Sequence, residues 1–251
     1  MGKLFNLDSP FMQFMNRVAD LMWLNILFVI CCIPVITIGP SLTAMYYITL
    51  KMVRNEESYI TKGFFKSFRQ NFLQATAIWL IFIAAGGLLV FDYYIVSGRA
   101  GITIGNATLI SVMQVLLIAV LIFYVFTITF VFPLLSKFDN SIKNTIKNAF
   151  IMSIRHFPVT LGSIAIGIIV TLLIIYVPIM LMMSIFLLFS LAAFICSQMY
   201  VRVFDRYIPK TAESDDTASA EEAGDNVSED TEGYADPIVN TAVTEETAFK
   251  E

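Results

Sequence analysis

The chain has 251 residues, 57% of them apolar and 14% charged, whereas soluble domains run at roughly 45–50% apolar and about 25% charged. That composition excludes an ordinary water-soluble domain and points to lipid as the solvent. The net charge of −4 averages two unlike parts: residues 1–210 hold 15 Lys/Arg against 7 Asp/Glu, while residues 211–251 hold 13 acidic residues against Lys250 alone.

In chain order, FMQFMNRVADLM puts Phe11, Phe14, Met15, Val18 and Met22 on one helical face, the spacing of an interfacial helix running into a span. A hydrocarbon core of ~30 Å takes roughly 20 apolar residues as helix, and residues 21–38, LMWLNILFVICCIPVITI, are the first candidate. Pro34 removes a helix hydrogen bond and clashes with the preceding turn, so a kink is expected near Ile30, and Gly39-Pro40 then ends the helix. Residues 41–53 are too short to cross and predict a separate helix with Ser41 as its N-cap. GFFKSFRQNF is a basic, aromatic amphipathic stretch that leads into a second span, residues 75–91, and IKNTIKNAFIMSIRHF plays the same part after a third span, residues 108–135. Residues 157–201 carry no charge. As a single helix they would reach about 68 Å, more than twice the core. They must fold back, with Pro178 as the turn, giving spans near 159–177 and 179–201. The expected fold class is all-α: a polytopic helical membrane protein of about five transmembrane helices over residues 1–210, with interfacial amphipathic helices. Residues 211–251 are too poor in apolar side chains to offset ordering entropy and predict a disordered acidic tail.

Basic residues orient such a chain. Residues 51–70, 136–156 and 202–210 together hold 12 Lys/Arg, and the alternate loops hold Arg99 only. By the positive-inside rule both basic loops and the tail are cytoplasmic, and five spans then put the N-terminus outside. Lys3 and Arg17 run against that last step. An N-terminus inside would turn the break at Gly39-Pro40 into a re-entrant tip at membrane depth; one outside would make it a turn at the cytoplasmic surface.

Chemistry in a membrane usually announces itself through ionisable groups within the spans. Only Asp20 and Asp92 come near, both at span ends, and the single histidine, His156, cannot build a two-histidine metal site. Cys31, Cys32 and Cys196 lie in apolar runs without metal-ligand spacing. No phosphate loop or nucleophile elbow occurs. The expectation is no enzyme, no cofactor, no metal and no nucleic-acid partner. Two roles stay open: a non-catalytic component that docks on another membrane complex, or a small transporter or channel for an uncharged solute that uses interrupted helices.

The segment from FMNRVADLMWLNILFVICCIPVITIGPSLTAMYY to FFKSFRQNF resembles the YesL family of bacterial integral membrane proteins. The matching residues are Asp20, Asn25, Pro34, Thr37, Gly39, Pro40, Ala44, Tyr46, Phe64, Phe65, Asn71 and Phe72. The resemblance covers about residues 5–77. It implies a multi-pass protein of the bacterial plasma membrane associated with carbohydrate uptake, with a sugar ABC transporter or a membrane sensor kinase as partner. It implies no established activity.

Overall fold

The computed structural model describes residues 10–56, 59–97 and 106–207. The acidic tail, Lys3, Arg99 and Lys210 lie outside the described residues. Among the described residues the structure is helical: α1 (Pro10–Cys31), α2 (Ile38–Val53), α3 (Ile60–Gln70), α4 (Phe72–Val96), α5 (Ala107–Lys137), α6 (Ile142–Arg155), α7 (Phe157–Tyr176), α8 (Pro178–Met183) and α9 (Phe189–Phe204). A single π-helical turn, Ser184–Leu188, joins α8 to α9. Five helical stretches are long and apolar enough to cross a membrane: Phe11–Cys31, Phe72–Val96, Thr108–Lys137, Phe157–Tyr176 and Pro178–Phe204.

The first of these differs from the expected span of 21–38. α1 absorbs the predicted interfacial stretch and stops at Cys31, because the residue before proline is pushed out of the α region. Pro34 thus ends this helix instead of kinking it. A 3-10 turn, Val35–Thr37, follows, and α2 begins at Ile38 with Thr37 at its N-cap. Gly39 and Pro40 fall inside the first turn of α2, where a missing proline N–H costs nothing, so Ser41 is not the cap.

α1 and α2 form an antiparallel hairpin. Arg17 near the start of α1 donates to Asn55 Oδ1 just beyond the end of α2, at 2.5 Å. Asn55 ends α2 in the left-handed region, φ 58°, a conformation asparagine tolerates better than most residues. Arg54 beside it pairs with Asp205 at the end of α9, and Lys51 and Arg54 border Ser136 and Lys137 at the end of α5. The hairpin therefore begins and ends where the basic segments gather. That places Arg17 with the basic loops rather than opposite them.

Buried residues concentrate in the same half of the bundle. Ala75, Ile78 and Phe82 of α4, Phe130, Val131, Phe132, Leu134 and Leu135 of α5, Ala149 and Met152 of α6, and Cys196, Tyr200, Val203 and Phe204 of α9 make one core. Leu24, Leu27 and Phe28 of α1 pack with Ala44, Met45 and Ile48 of α2 and Phe64 of α3 in a second. The far halves of α4, α5 and α7 expose Leu88, Val90, Phe91, Val112, Val115, Leu116, Ile169 and Ile175. In water such a surface would be untenable; in a bilayer it is the lipid-facing perimeter, since lipid tails are as apolar as these side chains.

Candidate functional site

Most of the residues that carry the family resemblance fall into three groups, of which the first joins α1 to the last span. Asn25 on α1 has no exposed surface. Its Nδ2 donates to the carbonyls of Ser184 (2.8 Å) and Ile185 (2.6 Å), and its Oδ1 accepts from the Ser190 N–H (2.8 Å). A π turn widens a helix and loosens its i→i+4 ladder, and one carboxamide here takes up both the Ile185 carbonyl and the Ser190 amide. The Ser190 hydroxyl returns the tie, donating to the Leu21 carbonyl at 2.7 Å. In the sequence Ser184 and Ser190 read only as uncharged polar residues in a span; nothing in their spacing marks them as partners of a residue some 160 positions away.

The second group builds the break between α1 and α2. The Thr37 hydroxyl donates to the carbonyls of Cys31 (2.6 Å) and Pro34 (2.7 Å), capping the frayed end of α1. Trp79 on α4 donates its indole N–H to the Val35 carbonyl at 2.8 Å, pinning the 3-10 turn. Gly39 is where α2 meets α4. A Cβ there would lie 2.6 Å from the Ala75 carbonyl oxygen and 2.7 Å from the Trp79 Cβ, so only glycine admits the approach. Ala75 and Trp79 sit three and seven residues into α4, placing the break about 5–10 Å from the basic end of that helix. Ile33, Val35 and Ile36 at the tip are exposed apolar side chains.

The third group turns the chain from α3 into α4. Asn71, with its Nδ2 on the Ser67 carbonyl (3.1 Å), is the single residue between the helices. Phe64, Phe68 and Phe72 follow one another along the corner with ring centroids 6.2 Å and 5.6 Å apart. Phe65 points outward and is exposed. Asp20 is half-buried on α1, and no hydrogen bond or ion pair among the described residues ties it to any of these groups. The α6–α7 junction repeats the pattern: His156 alone separates the helices, bonded to the Tyr207 hydroxyl at 3.1 Å. Burial, with Arg206 and Arg155 nearby, holds its imidazole below the usual histidine value.

Tyr46 belongs to none of these groups. It projects from α2 into a cavity of about 510 Å³ bounded by Trp79, Val125 to Pro133 of α5, Ser163 to Leu172 of α7, and Cys196 and Tyr200 of α9. Its ring meets Tyr200 edge-on at 5.9 Å. Tyr200 donates to the Thr129 carbonyl at 3.1 Å, and Thr129 and Thr171 bond the carbonyls of Val125 and Gly167. Sequence reading passed over Trp79, Ser163 and Tyr200, whose residue types are ordinary for helix packing and carry no motif. Among the described residues no group of three His, Cys, Asp or Glu is placed to hold a metal.

No curated protein and no solved structure matches the chain. One family model does, over α1 from its twelfth residue to nearly the end of α4, which takes in Asn25 and the break and leaves Asp20 one residue outside. Residues 21–93 match the family described as "Protein of unknown function, DUF624".

Proposed function

We propose that this integral membrane protein is a non-catalytic accessory component of carbohydrate uptake or sensing in the bacterial plasma membrane, with its acidic tail in the cytoplasm. The observation that carries this reading is the one-sided packing. The helices gather at the basic end, and α4 leaves Ala84, Ala85 and Gly87 exposed, with open space where a Gly87 side chain would stand. Small residues of this kind let another membrane helix approach closely. The uncharged polar groups of the spans also support it, since Asn25, Thr127, Thr129, Thr171, Ser184 and Ser190 spend their hydrogen bonds on backbone. The link to carbohydrate, and the choice of a sugar ABC transporter or sensor kinase as partner, come from the YesL resemblance. Crosslinking in whole cells followed by purification in mild detergent should recover such a subunit attached through α4. Recovery of the chain alone would refute the reading.

The cavity favours a second reading, a small transporter for an uncharged solute. It predicts flux in proteoliposomes that contain only this chain. Flux with no co-purifying partner would replace the accessory reading with this one.

A further inference from the structure

We propose that the cavity between α5, α7 and α9 is a binding site for an uncharged, bilayer-dissolved amphiphile, a neutral lipid that carries a hydroxyl or ester oxygen beside an apolar chain. The proposal stands apart from the accessory reading and survives or falls without it. A volume of about 510 Å³ lies within the roughly 300–1,000 Å³ of small-molecule sites. Of its lining residues Gly167, Ile168, Thr171 and Leu172 are exposed, on the lipid-facing side of α7. A ligand thus reaches it from the bilayer rather than from water. The walls carry no charged side chain, and a charge brought to this depth would stay unpaired at high cost.

One polar atom in the wall is unspent. Ser163 is 7% exposed and, among the described residues, its hydroxyl makes no hydrogen bond of good geometry; the Tyr200 hydroxyl and the Cys196 thiol lie beside it, and the Tyr200 proton goes to the Thr129 carbonyl. An orphaned buried hydroxyl is destabilising, and a ligand oxygen at that point relieves it. Water is a poor substitute, since an ordered water needs two to four polar partners and the other wall hydroxyls of Thr129, Thr171 and Tyr200 are engaged with backbone. A sugar ring is poorer still, for it brings many hydroxyls to a mostly hydrocarbon wall. Next to Ser163, Gly167 leaves room: a Cβ there would meet nothing within 4 Å.

The test uses the full chain in phospholipid nanodiscs and three photoactivatable, alkyne-tagged probes: a diacylglycerol, a phosphatidylcholine and an oxygen-free alkane. The diacylglycerol should label peptides covering residues 125–133 and 163–172 above the lipid-facing residues 109–122, and unlabelled diacylglycerol should compete. Gly167→Leu fills the space and should abolish that enrichment. Ser163→Ala should lower diacylglycerol labelling roughly three- to tenfold, the worth of one hydrogen bond, and leave alkane labelling unchanged. Even labelling along all spans, equal enrichment by phosphatidylcholine or the alkane, or indifference to Gly167→Leu would overturn the proposal. If either variant failed to give a monodisperse protein, competition on the parent chain alone would still decide it.

Discussion

Replacing Asn25 tests the tie between α1 and the last span most directly. Asn25→Leu keeps the shape of the side chain and deletes three hydrogen bonds, two donated to Ser184 and Ile185 and one accepted from Ser190. Side-chain hydrogen bonds between membrane helices are worth on average about 0.6 and at most about 1.7 kcal/mol. Three of them therefore amount to roughly 2–5 kcal/mol, the upper figure applying if the π turn cannot relax. Asn25→Asp should be worse than Asn25→Leu. Its oxygens would face two carbonyls and add an unpaired charge, while only the Ser190 N–H still finds an acceptor. Unfolding in mixed micelles gives the free energies, and hydrogen exchange across residues 184–190 reports the turn itself. The reasoning is refuted if both variants stay within about 0.5 kcal/mol of the parent, the range of an inert substitution, with exchange unchanged.

Gly39→Ala should destabilise by about 1–3 kcal/mol, as overpacking does, because the new Cβ meets the Ala75 carbonyl and the Trp79 Cβ at 2.6 and 2.7 Å; a thermal midpoint equal to the parent's would contradict the close contact. Cysteines placed at Gln13 and Asn140 should react with an impermeant maleimide from one side of the membrane and a cysteine at Ser97 from the other; Gln13 reacting with Ser97 would break the hairpin topology. His156 is held below its usual 6.5 by burial first and then by Arg206 and Arg155, so the unfolded chain binds the proton more readily. Its contribution to stability is therefore present above pH 6.5 and is lost as pH falls through the depressed folded value. The thermal midpoint of the parent should drop relative to His156→Gln between pH 7.5 and pH 5, and parallel curves would count against it.

Hydrophobic length, proline and the placement of Lys and Arg are local properties, and they already determined an all-helical membrane protein, the spans after residue 70 and the turn at Pro178. The amphipathic stretches before the second and fourth spans were legible for the same reason: their periodicity shows within a dozen residues. The course of the N-terminal part was not. Charge counting set Arg17 opposite the basic loops, whereas a 16-residue helix, too short to cross alone, carries the chain back to Asn55 beside it, and only these contacts reveal the return. Asn25 looked like any polar residue in a span until the fold set it against the π turn, and the break of CCIPVITIGP looked like a kink until Thr37 was seen to cap it. Gly39-Pro40 could be read as a helix end; that α4 passes so close that a methyl group will not fit is a fact of tertiary packing. The cavity is likewise a product of five helices meeting, and a stretch of sequence cannot show which of its hydroxyls, here Ser163, the packing leaves without a well-formed hydrogen bond.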